Sequence, residues 1–439
     1  MKRFIAFFYR KSPSLILVCI ISGLFGCQSL RYSVTNGDIS KELRKSEIFS
    51  NQFTGFTLYD PEGERYLCNY NDELYFTPAS NTKILTTLAC LENLGDSIAT
   101  FTFQESNDSI FISPLADPTF LHPDFLFQKP FDYLKGKKVS VNMPKVKINK
   151  FGSGWAWDDF NYNFQKELAL FPIYGNAVHL SKERDSIVVT PDFFQNYTQS
   201  IVGKEGRNKY SRSEFLNVFK VELASDSSSQ NIEVPFIYSE ELLTQLLEDT
   251  LSITPDFIAE DNLYPDTLYS QSKFHAISMM MLPSDNFLAE QLLIHCALIN
   301  GFQNIDQYRA HLLAEWSSFL PHKVKWVDAS GLSRYNLITP RSNVSVLNRI
   351  YENQSWQTIM NIFPIGGVSG TIKKWYASET PYIIAKTGTL SNNHNLSGYI
   401  KTKSGRTLIF SLMNNHYLGS SSTIKQEMEK FLLNIREAY

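Results

Sequence analysis

The spacing of hydrophobic and polar residues divides the chain into stretches of different texture. Residues 46–96 and 256–439 contain apolar residues at helical spacing and alternating runs typical of strands. Between them, residues 97–255 are rich in short strand-like runs, aromatic residues and turn residues. We predict that 97–255 form a β-rich module inserted into a larger domain made of the two flanking parts.

Two alternating runs near the start and three near the end predict a sheet. Residues 53–59 and 64–69 flank the turn sequence Asp60-Pro61-Glu62-Gly63, which indicates a hairpin. Residues 382–385, 396–401 and 407–413 are further predicted strands. Together they predict one antiparallel sheet with helices packed on it. The predicted helices are 239–251, 272–281, 287–299, 304–319, 341–353 and 423–436.

Residues 76–95 are predicted to form one further helix. Pro78 suits a first helical turn, because its missing N–H costs nothing there. Gly95 is placed for a C-terminal cap. The apolar positions recur at helical spacing, at Ile84, Leu85, Leu88, Leu91 and Leu94.

Two side chains on this helix suggest chemistry. Ser80 and Lys83 are three residues apart, so they share one face with Cβ atoms about 5–6 Å apart. A lysine whose pKa is lowered by burial can take the proton of the serine hydroxyl. The motif Ser-x-x-Lys is common by chance, so an exposed polar helix start is the better explanation of this stretch taken alone.

The first 45 residues are predicted to lie outside the folded domain. Residues 1–27 combine a basic start with an apolar run at 15–24 and end in Leu24-Phe25-Gly26-Cys27. This resembles a bacterial lipoprotein signal, which implies a lipid on Cys27 and a membrane anchor. An ordinary cleaved signal and an uncleaved anchor are the alternatives, and all three export the protein. Residues 28–45 are polar and charged, and we predict a tether.

Composition excludes several classes of function. The net charge is −3 and there is no long basic run, so nucleic acid is not an expected partner. Cys68, Cys90 and Cys296 remain outside the leader, an odd number without a Cys-x-x-Cys motif, and no disulfide framework follows. We expect Cys90 and Cys296 to be buried small hydrophobic residues. The histidines show no metal-ligand spacing, so neither a metal nor another cofactor is predicted.

Three short motifs stand in order along the chain: Ser80-x-x-Lys83, Ser284-Asp285-Asn286 and Lys386-Thr387-Gly388. They occupy a helix start, a turn between helices and the end of a strand. This set is typical of class A β-lactamases and penicillin-binding proteins. The long spacing between the first two motifs resembles the D-alanyl-D-alanine carboxypeptidase/endopeptidase family of low-molecular-weight, class C penicillin-binding proteins.

The resemblance covers about 46–439 and implies an α+β fold, the penicillin-binding-protein/β-lactamase-like serine peptidase domain with an inserted β-rich module. The further stretches that carry it are Asp117-Pro118-Thr119, Gly154-Trp155-Ala156-Trp157-Asp158-Asp159, Ser330-Gly331-Leu332-Ser333-Arg334-Tyr335-Asn336, Gly366-Gly367-Val368-Ser369-Gly370-Thr371 and Gly398-Tyr399. We expect Trp155 and Trp157 to belong to a core.

The resemblance also implies roles for the site residues. Ser80 attacks the penultimate D-alanine carbonyl, Lys83 is the base, and Ser284 passes a proton to the leaving amine. Nearby Lys386 is expected to lower the pKa of Lys83 by repulsion. The resemblance further implies that Asn286 holds a substrate amide and that the Lys386-Thr387-Gly388-Thr389 strand binds the terminal carboxylate. It also implies that the backbone N–H groups of Ser80 and Thr389 form the oxyanion hole.

Two further acidic residues, Asp285 and Asp159, are also considered. Asp285 is expected to order its loop. Asp159 fits a structural role and a contact with a cationic group of the substrate equally well.

The leading hypothesis is an exported, lipid-anchored serine DD-peptidase of the cell envelope or periplasm. It acts on peptidoglycan stem peptides and is inhibited by β-lactams, and it also cuts cross-links if it is an endopeptidase. A β-lactamase or esterase on the same scaffold is one alternative, although no counterpart of the β-lactamase deacylating glutamate was found. A non-catalytic cell-wall-binding lipoprotein is the other.

Overall fold

A computed structural model describes residues 36–439, apart from 108, 184–185, 204–205, 207, 225–231 and 259–262. The predicted signal, with Cys27, and residues 28–35 lie outside the described residues.

The main sheet has five strands: β1 (Phe53–Asp60), β2 (Arg65–Tyr70), β14 (Ile383–Leu390), β15 (Asn393–Lys401) and β16 (Thr407–Asn415). They are antiparallel and lie in the order β14-β15-β16-β1-β2. The predicted N-terminal hairpin and the predicted C-terminal strands therefore form one sheet, as expected.

Helices cover both faces of this sheet. They are α1 (Asn36–Lys45), α2 (Glu47–Ser50), α3 (Lys83–Asn93), α6 (Lys273–Met281), α7 (Asn286–Ile299), α8 (Ile305–Glu315), α9 (Pro340–Asn353), α10 (Trp356–Ile362) and α11 (Ser421–Ala438).

Alternation along the strands explains the two cores. Ile384 and Tyr399 are register partners and contribute to the core that contains α3, α6, α7 and α9. The next residues along these strands, Ile383 and Ile400, contribute to the opposite core, which contains α1 and α11. Because successive strand residues face opposite sides, the near-continuous burial of β14–β16 shows that the sheet is covered on both faces.

The tether prediction is wrong for residues 36–45. They form α1, and Ile39 and Leu43 are buried in the core shared with α11. The two residues are four apart, which places them on one face of the helix.

The region between α3 and α6 contains three smaller sheets and two helices, α4 (Lys129–Leu134) and α5 (Glu240–Leu251). The sheet orders are β12-β5-β4-β3-β13, β11-β6-β7 and β8-β10-β9. The strands are β3 (Ser97–Ser106), β4 (Ser109–Pro114), β5 (Lys138–Asn142), β6 (Ala177–Glu183), β7 (Ser186–Thr190), β8 (Thr198–Val202), β9 (Lys209–Arg212), β10 (Phe219–Leu223), β11 (Ile232–Pro235), β12 (Asp256–Ile258) and β13 (Asp266–Ser272).

The residues just after 256 were expected to be helical, but the structure has strands there. Strand β12 pairs with β5, and β13 pairs with β3, so residues 256–258 and 266–272 extend a sheet of this region. The domain boundaries remain a prediction, and we propose moving the second one from 255 to about 272.

Other local predictions differ in detail. Residues 76–95 do not form one helix: a 3₁₀ turn at Ala79–Thr82 precedes α3. Gly95 does not cap α3, because the helix ends at extended Leu94. The remaining helices were predicted to within a few residues, except α1, α2, α4 and α10, which were missed.

Candidate active site

Ser80 lies in the 3₁₀ turn that precedes α3. Ala79 has a left-handed φ of 49°, and its carbonyl accepts a hydrogen bond from Thr82 Oγ1 at 2.9 Å. Gly331, with φ 84°, packs on that carbonyl, and a Cβ at this position would lie 1.9 Å from the oxygen. The close packing leaves the nucleophile turn little freedom to move.

Lys83 is fully buried and its Nζ contacts three oxygens. They are Ser80 Oγ at 3.2 Å, Asn286 Oδ1 at 2.6 Å and the Ser330 carbonyl at 2.8 Å. A neutral amine has two N–H donors and one lone pair. If Asn286 and Ser330 take the two donors, the lone pair faces Ser80, which is the orientation that a base requires.

Burial is the leading cause that lowers the pKa of Lys83, to about 8. The nearby charges of Asp285, Asp328 and Glu290 oppose this and raise the pKa of Lys83. Repulsion between the two lysines lowers the pKa of Lys386, but burial is again the larger cause. The expectation that Lys386 is what lowers the pKa of Lys83 is therefore wrong.

Ser284 lies in the turn between α6 and α7. Its φ is 67°, and a left-handed conformation of a non-glycine residue typically costs about 1–3 kcal/mol. Lys386 Nζ donates to Ser284 Oγ at 2.7 Å. Asp285 caps α7, because its Oδ1 accepts from the Leu288 N–H at 2.7 Å. Asp285 therefore orders the turn, as expected.

Strand β14 runs directly against the nucleophile turn. Asn81 Nδ2 donates to the Lys386 carbonyl at 2.7 Å. A Cβ on Gly388 would lie 2.3 Å from the Pro78 oxygen and 3.2 Å from the Ser80 nitrogen. Only glycine allows this approach, which places the end of the motif beside the backbone of Ser80.

The threonine hydroxyls of the same strand have partners of their own. Thr387 Oγ1 lies 2.7 Å from Thr371 Oγ1. Thr389 Oγ1 lies 2.8 Å from His394 Nδ1 on the paired strand β15. Burial lowers the pKa of His394 to about 3, so this imidazole is neutral near pH 7.

A segment of the inserted region borders the site. Asn286 Nδ2 donates to the Phe164 carbonyl at 3.0 Å, and Trp155 Nε1 donates to Asp328 Oδ2 at 2.8 Å. The side chain of Trp157 is 76% exposed, so the prediction that both tryptophans belong to a core is wrong for Trp157.

The structure brings the main sequence-predicted side chains together where α3 and α7 meet the edge of the sheet. Ser80, Lys83 and Asn286 are linked by hydrogen bonds, and Ser284 is linked to Lys386. Their catalytic roles stay predictions. The sequence did not identify the backbone carbonyls of Ser330 and Phe164, nor the side chains of Thr371, His394 and Glu290.

This arrangement can support acyl transfer. A hydroxyl, a buried amine with a lowered pKa, and a second hydroxyl–lysine pair lie within one site. In the part of the chain that the structure describes, no group of three His, Cys, Asp or Glu residues could hold a metal ion.

The fold and the site define a serine hydrolase of the penicillin-binding-protein type. The sequence profile of the D-Ala-D-Ala carboxypeptidase 3 (S13) family matches residues 35–218 and 266–435. The chain belongs to this family.

Relatives agree with this assignment. The chain is 32% identical over 150 residues to D-alanyl-D-alanine carboxypeptidase DacB of Haemophilus influenzae, which covers 32% of this chain and only 31% of that protein. It is 24% identical over 417 residues to penicillin-sensitive carboxypeptidase A of Dictyostelium discoideum, covering 78% of each chain.

Solved structures confirm the predicted fold class. The crystal structure of penicillin binding protein 4 (dacB) from Haemophilus influenzae matches with a TM-score of 0.67 at 19% identity, covering 92% of this chain and 98% of that one. Penicillin G-acylated Bd3459, a predatory endopeptidase from Bdellovibrio bacteriovorus, matches with a TM-score of 0.50 at 13% identity, covering 87% and 93%.

Proposed function

We propose that this protein is a serine-type D-Ala-D-Ala carboxypeptidase that acts on peptidoglycan stem peptides through an acyl-enzyme on Ser80. The observation that carries the proposal is the contact of Ser80 Oγ with Lys83 Nζ, whose other two contacts are hydrogen-bond acceptors. Membership in the S13 family and the acylation by penicillin G in the name of one structural relative support it.

In acylation, Ser80 Oγ attacks the carbonyl of the penultimate D-alanine and its proton passes to Lys83. The oxyanion is stabilised by the N–H groups of Ser80 and Thr389, each such donor typically contributing about 3–4 kcal/mol. The proton held by Lys83 then passes through Ser284 to the departing D-alanine amine as the C–N bond breaks, so Ser284 gives up one proton and takes up another. Water then hydrolyses the ester and restores Ser80. A β-lactam acylates the same hydroxyl and leaves slowly.

The test is the intact-protein mass after incubation with benzylpenicillin, for wild type, Ser80→Ala and the control Ser50→Ala. Ser50 is an exposed serine of α2. We expect an adduct in wild type and Ser50→Ala and none in Ser80→Ala. Absence of an adduct with the drug intact contradicts the proposal and favours a binding protein, whereas absence with the drug consumed favours a β-lactamase.

Peptide assays then define the activity. We expect release of D-alanine from a stem peptide that ends in D-Ala-D-Ala. Cleavage of a cross-linked dimer would add endopeptidase activity, which the same acyl-transfer chemistry allows. Asp159, which is half exposed, fits a contact with a cationic third residue and a structural role equally well. Asp159→Asn would lower kcat/KM only for peptides with a cationic third residue in the first case, and equally for all peptides in the second.

The lipid anchor at Cys27 is part of the same proposal and rests on the sequence of the leader. Membership in the S13 family supports a location in the cell envelope. No helix among residues 36–439, insofar as they are described, is long and apolar enough to cross a membrane. Metabolic labelling with a fatty-acid analogue should mark wild type and not Cys27→Ala, and equal labelling of both would exclude Cys27 as the acceptor.

A further inference from the structure

We propose that Glu290 is a positioning residue that holds the Ser330 carbonyl against Lys83 and sets the pH at which Lys83 acts as a base. The inference rests on the proposed role of Lys83. Glu290 lies on α7, one turn after Asn286, so the two side chains share a helix face.

The contacts of Glu290 fix the Ala329–Ser330 backbone. Its Oε2 accepts from the Ala329 N–H at 3.1 Å, and its Oε1 accepts from the Ser330 N–H at 2.8 Å. The Ser330 hydroxyl is a further hydrogen-bond partner. The carbonyl of the same residue accepts from Lys83 Nζ at 2.8 Å. Helix α7 therefore orients Lys83 twice, directly through Asn286 and indirectly through Glu290.

A carboxylate is needed for this arrangement. Two oxygens accept two neighbouring N–H groups at once, whereas a glutamine has one oxygen and would turn an N–H₂ group toward the other donor. The same loop is held by Asp328, whose Oδ1 accepts from Gly331 N at 2.8 Å and whose Oδ2 also accepts a backbone N–H, that of Ser333, at 2.6 Å. Two carboxylates, those of Glu290 and Asp328, therefore bind this loop. Of the two, Glu290 contacts Ser330, whose carbonyl accepts from Lys83.

The charge environment makes this carboxylate sensitive to pH. Burial and the charge of Asp328 raise the pKa of Glu290 to about 7. The other charged groups that face it are Lys83 and, around a cavity of about 110 Å³ that Glu290 also lines, Lys147, Asp306 and Arg309. Ionised Glu290 raises the pKa of Lys83, and protonated Glu290 can no longer accept both N–H groups equally.

Glu290→Gln and Glu290→Asp separate the two effects. Glu290→Gln removes the charge, so the pKa of Lys83 falls. We expect the rising limb of acylation rate against pH to move to lower pH by about 0.5–1 unit, and the plateau rate to fall about ten- to a hundredfold. Glu290→Asp keeps the charge and loses reach, so we expect a lower plateau with the limb within about 0.3 unit of wild type.

The assay is stopped-flow acylation by a fluorescent penicillin between pH 5.5 and 9.5, with thermal melting as a check of folding. Asp306→Asn is the matched control. It removes a carboxylate that lines the same cavity and pairs with Arg309. The acylation rate of this variant should depend on pH as that of wild type does. A wild-type profile for Glu290→Gln overturns the proposal. If Glu290→Gln does not fold, a plateau equal to wild type in Glu290→Asp overturns it. Failure of wild type itself to acylate would instead contradict the proposed function.

Discussion

Replacing Gly388 by alanine is expected to push strand β14 away from the turn that carries Ser80, the proposed nucleophile. The new Cβ would lie 2.3 Å from the Pro78 oxygen, 2.8 Å from the Asn81 nitrogen and 3.2 Å from the Ser80 nitrogen. All three are backbone atoms, so no side-chain rotation can relieve the contacts. Since non-bonded atoms pack best near about 3.5 Å, β14 must retreat by about 1 Å.

Two effects of different size follow from this displacement. Overpacking of this kind typically destabilises a protein by about 1–3 kcal/mol. A shift of about 1 Å between the nucleophile and the groups that orient its substrate can slow a reaction about a hundredfold. We therefore expect Gly388→Ala to lower the rate of acylation far more than it lowers the free energy of unfolding.

The assay is stopped-flow acylation by a fluorescent penicillin, paired with urea unfolding. Gly95→Ala is the matched control, because no atom lies within 4 Å of a Cβ built there. It should acylate at the wild-type rate and keep its stability to within about 0.5 kcal/mol. A wild-type acylation rate in Gly388→Ala would refute the claim that close packing of β14 on the turn positions Ser80 for reaction.

Two further measurements test the base and the N-terminal helix. The wild-type acylation rate should rise about tenfold per pH unit up to about pH 8 and then level off, because burial lowers the pKa of Lys83 to about 8 and only the neutral amine accepts a proton; a flat profile from pH 6 to 9 would contradict this. Leu43→Ala should lower the free energy of unfolding by about 2–5 kcal/mol, since Leu43 is fully buried. Its control Leu433→Ala, at a side chain 40% exposed, should cost much less, and equal losses would contradict the packing of α1.

The main sheet and the three motifs were predictable because each depends on local pattern. Strand β14 begins with an apolar run and β16 is largely apolar, and the Lys386-Thr387-Gly388 motif lies within β14. The turn that carries Ser284 lies between two periodic helices. Their meeting in space was inferred from the resemblance, since spacing along the chain carries no distance between residues 80, 284 and 386.

The predictions for α1 and Trp157 were wrong because the sequence carried only a weak signal for each. Helix α1 has only two buried apolar residues, Ile39 and Leu43, in a stretch that is otherwise polar. Their spacing of four was the available signal, and it was outweighed by the charge of the segment. Trp157 is exposed although tryptophan usually buries its area, because a large side chain gives no indication of which way its loop faces.

The missed residues of the site share a physical reason. The contacts that Ser330 and Phe164 make with Lys83 and Asn286 are through backbone carbonyls, which every residue possesses, so no residue type marks them. Glu290 acts on another residue's backbone and belongs to no motif of reactive side chains.

The position of the proposed base depends on parts of the chain that are remote in sequence. Asn286 orients Lys83 with its carbonyl oxygen, and its nitrogen is held by the Phe164 carbonyl from the inserted region. Trp155 of the same segment binds Asp328, whose loop supplies the Ser330 carbonyl. Both acceptors that direct the lone pair of Lys83 toward Ser80 are therefore braced by residues 155–164. The inserted region is thus a structural part of the proposed active site, since a shift of this segment would move the acceptors on which the proposed base relies.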